Sequence, residues 1–380
     1  MDRKPFTNIN HLDDVTPHIS FELGFVVSRR ENYTVVDYVY TTDETFLHPV
    51  ARECRGLKFD RDGKIIARPF HKFFNLGEKE QPEEIDWARP HVVFDKLDGS
   101  MVHPTLLDGN LVFMTRMGIT PQSRTAQAHA SPEVLRMSAA LIDRGITPML
   151  EFTSPENRIV ISYDTPMLTL LAARRIVSGE YLTSVELAAV GREFDAPVVR
   201  SIGRIDDIRS FADKARREDG IEGYVIAFED GHRIKLKTDG YVLRHKALAG
   251  LQLEKNVVEL VAARAVDDMI PLLKPDIAEH LKAYEAKLLA GVSRHAAAID
   301  AFVAANRTLE RKDFAARVKE DWDGRLRGIV FAALDGKNPQ DGMMRLLGSA
   351  GQSQTRVEGI RDLFDMAWHV DALSLPDLEA

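Results

Sequence analysis

The 380-residue sequence has a single cysteine, Cys54. No intramolecular disulfide can form, which fits a reducing compartment. Positive charge is also in short supply: 50 Lys and Arg against 58 Asp and Glu give a formal net charge of −8. That excludes a protein that coats nucleic acid through a broad basic surface, but not one with a local basic groove. There is no run of about 18 apolar residues, so no transmembrane helix is expected. The first residues, "MDRKPFTNINHLDD", contain no apolar signal-peptide core. The expectation is a soluble, cytoplasmic protein with no membrane partner. A phosphate-cradling GxxxxGK(S/T) loop is absent as well, so P-loop kinase chemistry is not expected of this chain.

What is present favours two domains, by length, and an apolar fraction of 44% supports a sizeable core. Three Asp-Gly pairs (Asp62-Gly63, Asp108-Gly109 and Asp230-Gly231) each lie between β-rich runs, a strong hairpin signal. They predict antiparallel sheets and argue against a doubly wound parallel fold. Helices are predicted at 131–145, 184–194 and 204–218. From about residue 245 the texture changes to Ala-, Leu-, Glu- and Lys-rich segments with apolar residues three and four apart, the pattern of amphipathic helices. Thr308 is the candidate N-cap of the helix "TLERKDFAARVKED". The fold class is therefore α+β: residues 1–245 form a domain of antiparallel sheets flanked by helices, and residues 246–380 an all-α domain.

Several charged residues sit where apolar ones would be expected. In the third hairpin, a two-residue Asp230-Gly231 turn sets Tyr224 opposite Lys237 and Ile226 opposite Lys235. Lys235 and Lys237 then share one face with Glu222, while Ile234 and Leu236 face a core. Two lysines and a glutamate on one face can hold a polyphosphate and its metal, although Lys-x-Lys strands also occur as solvated faces. Glu151 interrupts the apolar strand "PMLEF", where an isolated carboxylate is costly unless a cation or metal holds it. Arg55 ends the loop "ECRG", and Lys72 lies between His71 and the aromatic pair Phe73-Phe74, which reads as core. Cys54 reads as an ordinary buried thiol. Lys96, in "FDKLDGSM", closes the apolar run "HVVF" just before a tight Asp98-Gly99 turn. A lysine at a strand end becomes a nucleophile when its pKa is lowered by nearby cations, a metal or desolvation.

The order of these segments, "ECRG", "KFFNL", "KLDGS", "EFTSPENRIVISY", "EGYV" and "IKLKTDGYV", resembles the covalent nucleotidyltransferases, and within them the phage-type ATP-dependent RNA ligase 1 family. The resemblance spans about residues 53–242, with a looser match near "RKDFAA" in the helical third. It implies that Lys96 attacks the α-phosphate of ATP, that AMP passes from the lysine to an RNA 5′-phosphate, and that a 3′-hydroxyl then expels AMP. It assigns Lys96 as nucleophile. Asp98, Glu151 and Glu222 become the acidic positions around a hydrated Mg²⁺, with Mn²⁺ as the alternative, or around the ribose. Lys235 and Lys237 become phosphate contacts, with Lys237 nearest the α-phosphate and both in the catalytic set with Glu222. Arg55 and Lys72 are placed near the nucleotide phosphates, and Gly99 where the backbone approaches the nucleotide. Arg116, in "TRMG", stands where the best-known members carry lysine, a change that keeps charge and alters geometry.

DNA ligases and capping enzymes share the lysine chemistry but follow it with an OB barrel, for which the helical third lacks the short alternating strands. RNA ligases of another type and a non-catalytic RNA-end binder complete the alternatives. The intact acidic and basic positions speak against the last. The implied partners are RNA carrying 5′-phosphate and 3′-hydroxyl ends, cleaved tRNA as the leading case, and a separate end-healing kinase–phosphatase.

Overall fold

The computed structural model describes residues 6–157 and 159–369, and they divide into two compact units, one running to Val242 and one from Leu243. The first unit holds three sheets. One has the order β1-β2-β3-β4, from β1 (Phe25–Arg29), β2 (Thr34–Tyr38), β3 (Leu57–Phe59) and β4 (Ile65–Ala67). The others draw on β5 (Phe74–Asn75), β6 (His91–Lys96), β7 (Ser100–Leu107), β8 (Asn110–Met114), β9 (Ile146–Thr153), β10 (Met167–Arg175), β11 (Ser201–Gly203), β12 (Gly223–Phe228) and β13 (Arg233–Lys237). Their orders are β10-β9-β7-β8 and β11-β6-β12-β13-β5. Among the described residues the strands pair antiparallel except for the short parallel contact of β13 with β5, and an isolated parallel bridge joins Leu170 to Val198.

Helices flank the sheets: α1 (Pro49–Glu53), α2 (Pro121–Ala128), α3 (Pro132–Asp143), α4 (Ser184–Phe194) and α5 (Ile208–Arg216). Local sequence explains them. In α3, Ser131 caps the first turn by accepting from the Val134 amide, Pro132 suits the N-terminal turn, and Val134, Met137 and Leu141 present one buried stripe. That stripe joins Val102, Leu150, Phe152 and Leu170 in a core against the β7–β10 sheet. A second core fills β1–β4 around Val36, Leu57 and Phe59, and a third joins α5 to Ile226, Ile234 and Leu236.

Of the three Asp-Gly hairpins, only Asp108-Gly109 is a two-residue turn, with both residues at positive φ and Leu107 opposite Asn110. The other two close through three residues. At Glu229-Asp230-Gly231 the Phe228 amide donates to the His232 carbonyl, and Gly231 takes φ +88°. The expected register is therefore corrected by one residue: Tyr224 opposes Leu236, and Val225 opposes Lys235. Such a slip moves every side chain of one strand to the other face. It buries Tyr224 and Ile226 with Ile234 and Leu236, and leaves Lys235 and Lys237 on the opposite face.

The second unit is helical. The division falls within α6 (Asp239–Gly250), followed by α7 (Glu254–Ala262), α8 (Val266–Met269), α9 (Pro275–Asn306), α10 (Arg311–Asp321), α11 (Arg327–Leu334) and α12 (Pro339–Ala350), then short turns at Gln354–Glu358 and Arg361–Phe364. The N-cap of α10 is Glu310, not Thr308. The 32-residue α9 is long and apolar enough to cross a membrane by length and composition alone, a property the search for an unbroken apolar run did not register. Its residues Ile277, Leu281, Leu288, Val292 and Ile299 are buried, and it packs against α11, α12 and α7 within the unit. The end of the helical third expected from sequence, from residue 370, and the first five residues of the chain lie outside the described residues.

Candidate active site

Three neighbouring strands bring the central charges together. Lys96 ends β6, Gly223 starts β12, and Lys237 ends β13; Gly223 pairs with both lysines. Glu222 lies between them: one carboxylate oxygen accepts from Lys96 Nζ at 2.8 Å, and the other lies 3.1 Å from Lys237 Nζ. Strict alternation would send Glu222 to the face of Tyr224. Gly223 breaks the alternation at φ +145°, and a Cβ there would meet the Leu236 carbonyl oxygen at 2.0 Å. Only glycine can occupy this crossing, and it is what aims Glu222 at the lysines.

Burial opposes charge on both partners, but the pair wins. The carboxylates of Glu222 and Glu151 outweigh the desolvation of Lys96 and hold its pKa above the ordinary lysine value. Lys96 and Lys237 outweigh the burial of Glu222 and hold it below the usual carboxylate range. Lys96 in this state is thus an ammonium, opposite to the depressed pKa expected of a ready nucleophile. Glu151, buried in β9, is pushed up to about 8 by desolvation, with Lys96 opposing and the charges of Glu222 and Asp98 adding. The Gly99 amide donates to it.

Asp98 is an anchor. One oxygen accepts from the Val160 and Ile161 amides at 2.7 and 2.6 Å, and the other from the Tyr241 hydroxyl at 2.8 Å. The Asp98 amide donates to Tyr163. Among the described residues no group of three or more His, Cys, Asp or Glu side chains is arranged to hold a metal ion. Glu151 and Glu222 are the carboxylates whose surroundings suit one, with water and phosphate completing the shell. Gly99 is also explained differently: what its missing Cβ admits is the Phe152 carbonyl of β9, 2.4 Å from where that atom would stand. Arg158, within "EFTSPENRIVISY", lies outside the described residues.

The remaining cations gather around two residues that sequence reading missed, Asp37 and Tyr38 at the end of β2. Arg116 pairs with buried Asp37 (Nε to Oδ2, 3.2 Å) and stacks over the Tyr38 ring at 4.7 Å. Lys72 lies over the same ring at 5.3 Å and reaches the Tyr38 hydroxyl. Burial raises the Tyr38 pKa, but Arg55, Lys72 and Arg116 together bring it below the ordinary tyrosine value. Lys58, fully buried, donates to the Gly56 and Arg116 carbonyls and fixes that turn. Arg55 follows Glu53, which is buried between Arg68 and Arg174 and held at about 2: burial raises it, and the two guanidiniums, Arg174 first, outweigh that. Lys235, over the Phe73 ring at 5.0 Å, is driven well below the usual lysine range by burial and by Arg55, Lys96, Lys72 and Lys237. Lys235 therefore joins the two clusters electrostatically. Phe73 and Phe74 are half-buried, and Cys54 is buried with its thiol pushed up by desolvation.

A lysine at a strand end, carboxylates beside it and the further cations Arg55, Lys72, Arg116, Lys235 and Lys237 make a site suited to nucleotide phosphate chemistry. The profile of the RNA ligase family of the T4 RNA ligase 1 type matches residues 53–241. RNA ligase 1 of bacteriophage TS2126 is 33% identical over 337 residues, 82% of each chain. A Thermovibrio ammonificans protein named provisionally as an RNA ligase is 28% identical over 281 residues, 70% of this chain and 73% of that one. A protein of Autographa californica nuclear polyhedrosis virus, named provisionally as a bifunctional polynucleotide kinase/RNA ligase, is 26% identical over 67% of this chain and 40% of its own length. Among solved structures, an archaeal ATP-dependent RNA ligase aligns with a TM-score of 0.46 at 18% identity, over 61% of this chain and 62% of that one. The chain belongs to the phage-type RNA ligase 1 family.

Proposed function

We propose that the protein seals RNA 5′-phosphate and 3′-hydroxyl ends through a lysyl–AMP on Lys96 and an RNA-adenylate. The observation that carries this reading is the Glu222 carboxylate bridging Lys96 and Lys237 at adjoining strand ends. Lys96 Nζ attacks the α-phosphate of ATP, forms a P–N bond and expels pyrophosphate. The RNA 5′-phosphate then displaces the lysine and takes AMP. Finally the 3′-hydroxyl attacks that 5′-phosphate and expels AMP. Each step is phosphoryl transfer, in which positioning and charge stabilisation carry the catalysis. Lys237 and Lys235 face the nucleotide phosphates, while Arg55, Lys72 and Arg116 receive their far end.

Lys96 must shed a proton before it attacks. Glu151 and Glu222 would hold a divalent cation, Mg²⁺ or Mn²⁺, whose charge would offset the carboxylates that keep Lys96 protonated. Glu151 and Glu222 are both buried beside Lys96, and Glu151 is raised by desolvation with the charge of Glu222 adding, which supports this fit. Broken RNA, with cleaved tRNA as the leading substrate, is the proposed context, and residues 246–380 are assigned to substrate docking. End healing is assigned to a separate kinase–phosphatase, in keeping with the kinase activity in the viral relative's name.

The test is a sealing assay with ATP and Mg²⁺. RNA with a 5′-phosphate and a 3′-hydroxyl should give phosphatase-resistant circles or joined strands. RNA with a 5′-hydroxyl or a 3′-phosphate should give none. Joining of 5′-hydroxyl ends, or failure to seal a pre-adenylated RNA, would contradict the reading.

A further inference from the structure

The nucleotide cluster leaves part of the first unit's positive charge unexplained. On β13 the side chains of Arg233, Lys235 and Lys237 alternate onto one face, a row with steps of about 7 Å. The proposed nucleotide site uses the last two. Arg233 is 6% exposed, and among the described residues no carboxylate pairs with it. Its guanidinium stacks 4.0 Å from the Tyr181 ring centroid and 5.4 Å from Phe70, and its buried Nε has no hydrogen-bond partner. Burial lowers its pKa, with Tyr181 opposing and Arg174 adding to the fall. A desolvated charge without a counter-ion is costly, and such residues are ordinarily paired.

Arg233 lines a small cleft of about 60 Å³ that opens to solvent. Arg52, Lys72 and Lys79 line it too, against a single carboxylate, Glu80, which is itself 3.1 Å from His232. Arg52 is exposed, with its Nε bonded to the Phe46 carbonyl, and Lys79, also exposed, makes a 4.0 Å contact with Asp43. Lys72 belongs both to this cleft and to the cluster over Tyr38, so the two are continuous.

We infer that this cleft is a second phosphate-binding subsite, one step beyond Lys235, with Arg233 at its base and Arg52 and Lys79 at its mouth. Its ligand is a phosphate group, supplied either by the RNA backbone or by pyrophosphate at the far end of the nucleotide. The inference rests on the ligase reading for its biological setting, but not for the binding itself.

Three variants test it: Arg52→Ala with Lys79→Ala, Arg233→Gln, and Arg233→Lys. One arm measures joining of pre-adenylated RNA to a 3′-hydroxyl strand, which needs neither ATP nor pyrophosphate. The other measures self-adenylylation by ATP and its reversal by pyrophosphate. KM should rise about tenfold or more in one arm for the first two variants, the loss expected of a charge-assisted contact, with kcat little changed. Arg233→Lys should restore it. A rise in the RNA arm, with a shallower salt dependence, assigns the RNA backbone. A rise in the ATP and pyrophosphate arm assigns the nucleotide's end. Unchanged KM in both arms overturns the proposal, as does a fall in kcat alone accompanied by a lower thermal midpoint. Calorimetric titration with inorganic pyrophosphate, wild type against the Arg52→Ala/Lys79→Ala double variant, keeps the tests separate. If wild type is inert in both arms, the ligase reading fails, while weaker binding by the double variant still supports a pyrophosphate-accepting subsite and equal binding overturns it.

Discussion

Lys96 carries two opposed demands. It must be held in place, and Glu222 does that as an ion pair; it must also become neutral to attack, and the same ion pair prevents that. In metal-free, nucleotide-free protein, an NMR titration of Lys96 should therefore give a pKa above the ordinary value of about 10.4. Glu222→Gln should lower it, because an opposite charge within contact distance supports the charged form. An unchanged pKa would remove the ion pair from the account. Glu151 makes a second prediction. Its folded-state value of about 8 lies above the unfolded carboxyl value, so the folded protein binds the extra proton. Stability from this group is complete below the unfolded pKa and is lost as pH rises through about 8. Glu151→Gln should escape that loss. Its thermal midpoint relative to wild type should gain roughly ten degrees between about pH 5 and pH 9, the shift that on the order of 4 kcal/mol gives a domain of this size. At this scale Lys96, Glu222 and Lys237 were legible because their motifs are dense and ordered. Asp37 and Tyr38 were not: "TVVDY" reads as an ordinary strand, and only the folded sheets bring it beside Arg116 and Lys72.

Among the elements, the hairpins show what a local signal contains. Asp-Gly announced a turn at all three places, but not whether two or three residues close it, and the register of β12 against β13 depends on that count. Glu222 nonetheless reaches the lysine face, by the glycine crossing at 223 and not by strand alternation. Gly223→Ala should therefore cost about 1–3 kcal/mol of stability and reduce self-adenylylation more than tenfold. Gly109→Ala serves as its contrast. That residue also has positive φ, but a Cβ there meets nothing within 4 Å. It should cost about 1 kcal/mol and leave adenylylation unchanged. Denaturant unfolding and labelling of both variants check this; equal losses of activity would show that the crossing does not position Glu222.

For the whole molecule, the change in texture near residue 245 announced the helical unit, and the compact units separate at Val242 and Leu243. Helix content was legible from the three-and-four spacing, whereas the cap of α10 was not: Thr308 is the better intrinsic N-cap, yet the helix starts after Glu310, which makes no side-chain capping hydrogen bond. If the helical unit docks the RNA, replacing exposed Arg311 and Lys312 with Ala should reduce sealing of tRNA cut in its anticodon loop several-fold more than self-adenylylation, and equal loss of both would contradict that assignment. The central claim is the covalent lysine. Protein mixed with Mg²⁺ and ATP labelled on the α-phosphate, then run on a denaturing gel, should carry label that Lys96→Ala abolishes; intact mass should find one AMP on any preparation already loaded. Neither label nor bound AMP on the wild type, or label that survives Lys96→Ala, would contradict it.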